Sequence, residues 1–128
     1  KFHVHHRIDF LECDLLPQHV DPLPTDSHFD LICANLPYIP TATMRSLPIY
    51  EREPTLALDG GTDGLDIYRR LLDTAPAWLA PNGMLLLEIE ATQGIKALNL
   101  ACDKFSSASI SLHQDLAGHD RLLEISLH

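Results

Sequence analysis

Apolar positions come in short bursts along this chain, and proline or glycine closes most of them. Phe29-Asp30-Leu31-Ile32-Cys33-Ala34 is the clearest burst, and it runs straight into Asn35-Leu36-Pro37-Tyr38. Pro37 has no N–H to carry a ladder onward, so the pattern predicts a buried strand over 29–34 with residues 35–38 at its carboxyl end. Met84 to Leu87, continuing through Glu88-Ile89-Glu90, is nearly unbroken and predicts a strand covered on both faces of a parallel sheet. Between the two, Leu65, Tyr68, Leu72, Ala75 and Leu79 recur at helical spacing, with Leu71 and Trp78 beside them. Arg69, Arg70 and Asp73 occupy the other side, so Tyr68 and Trp78 read as core. Pro76 kinks or shortens that helix, and Pro81-Asn82-Gly83 reads as the turn that ends it.

The flanks extend the alternation of strand and helix. Arg7 to Cys13 alternates with Ile8, Phe10 and Cys13 inward, predicting a strand that ends on Asp14. Thr92 reads as the cap of a further helix with Ile95, Leu98, Cys102 and Phe105 facing inward. Ser109 to His113 and Arg121 to Leu127 are short alternating runs joined through Gly118, which predicts an antiparallel pair at the sheet edge. Leu15 to His28, with Pro17, Pro22 and Pro24, reads as a loop or a single helical turn, and Pro40 to Gly64 as a long irregular section. Connections of that length more often carry function than not.

Composition narrows the classes. The 128 residues, 45% of them hydrophobic, suit one globular domain or part of one. No apolar run is long enough to span a bilayer, so no membrane role is expected. Nine Lys and Arg against 18 Asp and Glu give a formal charge of −9, which argues against a surface built to bind nucleic acid. Cys13, Cys33 and Cys102 are odd in number and far apart, and read as buried, reduced thiols. The chain starts on Lys1 with no signal-like segment, and reads as a piece of a longer cytoplasmic polypeptide.

Three chemical motifs invite simple readings. His3, His5 and His6 lack a carboxylate or thiolate at ligand spacing, so they read as a solvated arm. Asp59-Gly60-Gly61-Thr62-Asp63-Gly64 lacks the Gly-Lys-Ser/Thr ending of a phosphate loop. As a calcium loop it would place Gly61 at position three and Arg70 where the bidentate Glu belongs. A tight turn before the next helix accounts for it better, and no metal is expected. Asn35 to Tyr38 is different, because the carboxyl end of a strand is where open α/β sheets bind ligands.

In this order, several separated pieces resemble the HemK family of protein N5-glutamine methyltransferases. They are Asp14-Leu15-Leu16, Phe29 to Ile32, Asn35-Leu36-Pro37-Tyr38-Ile39-Pro40, Glu53-Pro54 with Ala57-Leu58, Gly60 to Leu65, Leu87-Glu88-Ile89 with Gln93, and Asp115 to Gly118 with Asp120-Arg121. The resemblance implies an α/β, Rossmann-like class I methyltransferase sheet, of which residues 1–128 form the carboxyl-terminal part, closed by an antiparallel hairpin. It implies methyl transfer from S-adenosylmethionine to the glutamine amide of a Gly-Gly-Gln loop in a peptide-chain release factor.

The chemistry fits the tetrapeptide. An amide nitrogen is a poor nucleophile, and the site helps by accepting hydrogen bonds from both its N–H groups as charge develops. By resemblance, Asn35 and the carbonyl of Leu36 accept, Pro37 aims that carbonyl, and Tyr38 packs against the planar amide. Asp14 and Leu15, near the adenine, and Asn35, near the reactive end, are the cofactor contacts that carry over. The family has Pro where Leu36 stands, and ribosomal RNA adenine dimethylases share Asn-Leu-Pro-Tyr. A nucleic-acid adenine N6-methyltransferase is therefore one alternative, and a catalytically silent interaction module another.

The first glycine is Gly60, so the family's glycine-rich cofactor loop is not in this chain. In the family's strand order 3-2-1-4-5-7-6, the chain supplies strands 3 and 4 to 7 without 1 and 2. The expected consequences are an incomplete cofactor site, no activity of the piece alone, and an unpaired edge on the 29–34 strand that invites self-association.

Overall fold

The computed structural model describes residues 4–17 and 28–128. One sheet holds four strands, β1 (Phe29–Asn35), β2 (Leu79–Glu88), β3 (Ser109–Gln114) and β4 (Asp120–Ser126), in the order β1-β2-β4-β3. β1 and β2 are parallel, and β4 runs antiparallel to both β2 and β3. This matches the 4-5-7-6 portion of the order expected from the resemblance. β1 lies at one edge of the sheet, as expected, with no second strand on it among the described residues.

Register explains the core. Ile32, Leu85, Ile125 and Ile110 face one another across the four strands, and Ala34, Leu87, Leu123 and Leu112 form the next row on that face. Leu85, Leu87, Leu123 and Ile125 have no solvent exposure. Each such side chain contributes about 1.5–3 kcal/mol by leaving water. The other face carries Leu86, Glu124 and Ser111 in one row, so it is mixed in polarity. β2 accordingly alternates buried and half-buried positions, rather than being covered equally on both faces as the apolar run suggested.

In chain order the helices are α1 (Thr41–Met44), α2 (Thr55–Leu58), α3 (Asp66–Thr74) and α4 (Gly94–Lys104). α3 and α4 pack against each other and bring Tyr68, Leu71, Leu72, Ala97 and Ala101 into the core with the apolar face. α1 and α2 are single turns inside the section that read as irregular. Leu65, Tyr68, Leu72, Ala75 and Leu79 are all buried, as their spacing predicts. Pro76 falls in a 3-10 turn, Ala75–Ala77, that ends α3. Trp78 stacks on Phe29 with ring centroids 5.9 Å apart. Pro81-Asn82-Gly83 does turn, but inside the span of β2: the register jumps from Phe29–Leu79 to Leu31–Met84, and Asn82 adopts a φ of 63°.

Four expectations need correction. Arg7 to Cys13 is not a strand. His5–Arg7 is a 3-10 turn, Ile8 and Phe10 are 46% and 94% exposed, and no strand among the described residues pairs with this segment. β1 itself is mostly exposed, only Ile32 being buried, because an edge strand lacks neighbours on one side. α4 turns Ala97, Ala101 and Phe105 inward, leaving Ile95 65% exposed and Cys102 exposed. Small alanines let the helix sit close to its neighbours, and Leu98 packs at the margin. Finally, all three cysteines are exposed rather than buried. Of the predicted 15–28 loop, residues 18–27 lie outside the described residues, while Leu16 joins the core.

Two polar devices hold α3. The Tyr68 hydroxyl donates to the Glu88 carbonyl at the end of β2, and burial, with Tyr38 and Glu88 nearby, pushes its phenol up. At the helix start, Asp63 accepts from Arg69 through both carboxylate oxygens (2.9 and 2.7 Å) and from the Leu65 amide. The Arg69 hydrogen bonds hold the Asp63 carboxyl down at about 2. Tyr68→Phe is expected to cost about 1–2 kcal/mol by leaving a carbonyl unpaired, read as a lower urea midpoint at unchanged slope.

The Asp63 carboxyl titrates lower in the folded chain than in the unfolded one, so its stabilisation is full above about pH 4 and fades as pH falls toward 2. The Asp63–Arg69 pair is partly exposed, so it contributes at most about 1 kcal/mol. Asp63→Asn is therefore expected to lower stability modestly at neutral pH, with the gap to the native chain closing between pH 4 and 2 in urea titrations.

Candidate functional site

Pro37 ends β1, and the chain beyond it is captured at once. Ile39 forms a parallel bridge with Asp59, its N–H donating to the Leu58 carbonyl (3.1 Å) and its carbonyl accepting from Gly60 (2.9 Å). The Thr41 amide donates to the Gly61 carbonyl at 2.9 Å. The Asp59 carboxylate accepts from the Thr41 hydroxyl (2.7 Å) and the Gly61 amide (3.0 Å), and those bonds hold its carboxyl below the ordinary range. The glycine-rich segment is thus a clamp on the residues that follow the strand.

Two glycines make the clamp fit. A Cβ at Gly60 would stand 2.8 Å from the Pro37 carbonyl oxygen, too close for any real side chain. Gly64 has a φ of +79°, and a Cβ there would lie 2.3 Å from both the Tyr38 carbonyl oxygen and Gln93 Nε2. Only glycine accepts both the left-handed backbone and that approach.

Gln93 closes the clamp from the other strand. It is 5% exposed, the one buried polar side chain among the described residues. Its Nε2 donates to the carbonyls of Tyr38 (2.9 Å) and Asp63 (3.4 Å), and its Oε1 accepts from the Glu90 amide (3.3 Å). The last bond belongs to a capping box on the Ala91–Gln93 3-10 turn that leads into α4. Glu90, not Thr92, is the cap: its carboxylate accepts from the Thr92 amide at 2.8 Å and from the Thr92 hydroxyl. Three loops, from the ends of β1 and β2 and the start of α3, therefore meet on one side chain.

The tetrapeptide so held is open for use. Asn35 is exposed, and Leu36, Pro37 and Tyr38 are half-buried. Among the described residues, no hydrogen bond engages the Asn35 side chain or the Leu36 carbonyl. A cleft of about 190 Å³ is lined by Asn35 to Ile39 with Ile49, Ala57 and Leu58. Tyr38 separates it from a larger cleft of about 590 Å³, whose walls include Ile39, Leu47, Asp63, Glu90, Gln93 and Lys96. An amide could thus reach two unoccupied acceptors beside an aromatic ring.

Of the three expected cofactor contacts, Asn35 lines the smaller cleft and the other two lie elsewhere. Asp14 is exposed and pairs with Arg70 at 2.5 Å. Leu15 takes a positive φ of 67° and packs at the margin of the core. Neither lines either of the two clefts. Sequence reasoning gave Gln93 no role of its own. The signal was present: a Glu-x-x-Gln spacing directly after an apolar strand is that of a capping box, which ties the Gln side chain back to the strand's end.

Comparison with known proteins shows what the chain is similar to. No protein-family model matches the chain. It is 43% identical over 106 residues to the release factor glutamine methyltransferase of Thermosynechococcus vestitus, covering 80% of this chain and 36% of that protein. It is 50% identical over 62 residues to the ribosomal protein uL3 glutamine methyltransferase of Bordetella pertussis, covering 48% and 21%. Among solved structures, the protein-(glutamine-N5) methyltransferase of Alicyclobacillus acidocaldarius is similar at 26% identity, covering 52% of this chain and 42% of that one, with a TM-score of 0.46. The chain spans about a third of the length of the release factor methyltransferases it matches. Over that third, the chain is similar to release factor glutamine methyltransferases, in line with the resemblance that its motifs carry.

Proposed function

We propose that Asn35 to Tyr38 is the substrate-amide half of a protein-glutamine N5-methyltransferase site. The observation that carries the reading is a pair of acceptors unengaged among the described residues, the Asn35 side-chain oxygen and the Leu36 carbonyl, at the end of a strand whose next residues are clamped. A primary amide has two N–H groups in one plane, and two acceptors on adjacent residues suit both. As the nitrogen gains a fourth bond its protons become acidic, so the acceptors bind the transition state more tightly than the ground state. Tyr38 offers a ring face that keeps the amide planar to the site. The proton is lost easily once charge has developed, and no strong general base is needed.

The relatives' names supply the substrate class, a glutamine in a release factor or in ribosomal protein uL3. S-adenosylmethionine is the methyl donor that this chemistry calls for. The residues of this chain do not fit it as a complete site: Asp14 is engaged by Arg70, and no glycine precedes Gly60. The donor's remaining contacts are therefore assigned to the part of the relatives that these 128 residues do not match.

The test is a chimera in which this chain replaces the matching segment of the Thermosynechococcus vestitus relative. It is expected to methylate a Gly-Gly-Gln peptide at the glutamine amide, with Asn35→Ala lowering kcat/KM by roughly 100- to 1,000-fold. A folded chimera that methylates adenine in RNA oligonucleotides but not the peptide would contradict the proposal.

A further inference from the structure

We infer that Gln93 is a positioning residue for the amide site, setting the geometry of Asn35 to Tyr38 through the Tyr38 carbonyl. The inference rests on the reading of the tetrapeptide given above, but its structural core stands on the hydrogen bonds alone.

Gln93 touches neither Asn35 nor Leu36 by hydrogen bond. It acts one step away: its Nε2 fixes the Tyr38 carbonyl, three residues after Asn35, and the same nitrogen fixes Asp63 in the clamp. Between Asn35 and Tyr38 the chain has little freedom left, since Pro37 locks its own φ and restricts Leu36 to extended geometry. Holding the far end of so stiff a segment sets the direction of the Leu36 carbonyl and of the Asn35 side chain. The near end is already fixed by the pairing of Asn35 with Glu88 across β1 and β2. Gln93 thus completes a two-point attachment.

The burial supports a specific purpose. A buried amide must satisfy its donors and acceptor, and Gln93 does so only because three loops converge on it. Gly64 leaves no Cβ in the space between Gln93 Nε2 and the Tyr38 carbonyl. Gln93 also lines the larger cleft beside Tyr38, so this attachment faces the space next to the amide site.

Gln93→Glu separates positioning from scaffolding. The introduced carboxylate keeps an oxygen for the Glu90 amide, and so keeps the capping box. Where Nε2 donated, however, it sets a second acceptor against the carbonyls of Tyr38 and Asp63. Protonation of that carboxyl restores a donor, and burial raises the pH at which this happens. The ionisable groups sharing the cleft are Tyr38, Asp63, Glu90 and Lys96. The Asp63 carboxyl is held at about 2 by Arg69. Burial pushes the Glu90 carboxyl up, but its bonds from Thr92 outweigh this and hold it below the ordinary range. Both stay charged from pH 5 to 8, so a change in that window that the native chain does not share reports on the carboxyl that the substitution introduces.

The experiment uses isotope-labelled full chain, native, Gln93→Glu and Gln93→Leu, at pH 5 and pH 8. In the free proteins, the Asn35 side-chain amide and the Tyr38 and Ile39 resonances are expected to move in Gln93→Glu at pH 8 and to return toward native positions at pH 5. In Gln93→Leu they stay displaced at both. Titration with a capped Gly-Gly-Gln peptide is expected to show Gln93→Glu weakened by roughly five- to tenfold at pH 8, the worth of a lost hydrogen bond, and recovering at pH 5. Native-like Asn35 and Tyr38 resonances in Gln93→Glu at pH 8, or displacement that acid does not reverse, overturns the inference. Native chain whose Asn35 and Tyr38 signals ignore the peptide overturns the amide reading instead, while the free-protein shifts still decide the role of Gln93.

Discussion

One buried amide side chain has the most to hold. Gln93 sits where the end of β1, the glycine clamp and the capping box before α4 come within hydrogen-bond reach of one another. These loops pair only part of their backbone, leaving the Tyr38 and Asp63 carbonyls and the Glu90 amide for a side chain to meet. A side chain carrying both donors and an acceptor is a compact solution, and it must be buried to serve all three. The placement of Gly60 and Gly64 follows from the same requirement, because the clamp has to approach the strand-end backbone more closely than a Cβ allows.

The sheet supplies the rigidity behind that junction. Two apolar rows cross all four strands, and the fully buried positions lie in β2 and β4, at its centre. β2 carries Glu88, paired with Asn35, and runs into the turn that bears Gln93. The proposed amide site therefore grows from the best-packed strand and from an edge strand parallel to it. An edge position leaves Asn35 exposed while the pairing with Glu88 still fixes its backbone. Exposure and fixity together are what a site for a substrate side chain requires.

Much of this was legible in the residues, and the exceptions have physical causes. The core of the helix expected from Leu65 onward, the strand that stops before Pro37 and the closing hairpin followed from periodicity and proline placement, which are local signals, whereas the far end of that helix is a 3-10 turn and Leu79 opens β2. The burial of β1 did not follow, because whether an apolar run is central or at an edge depends on its neighbours and not on its own sequence. Arg7 to Cys13 has the alternation of a strand but no ladder partner among the described residues, and alternation cannot supply one. For α4, two helical faces were both apolar enough, and the one with Ala97 and Ala101 lies inward, where small side chains permit close packing. The tetrapeptide was singled out by its chemistry, whereas the role inferred for Gln93 needed the loops to be brought together.

The central claim is that one planar amide binds to two acceptors at the end of β1. The most direct measurement follows the side-chain NH₂ of the glutamine in an isotope-labelled Gly-Gly-Gln peptide as the chain is added. Two acceptors require both protons to shift downfield and to exchange more slowly with water. Glutamine protons that stay at their free positions at saturation, or only one of the two responding, would contradict the account.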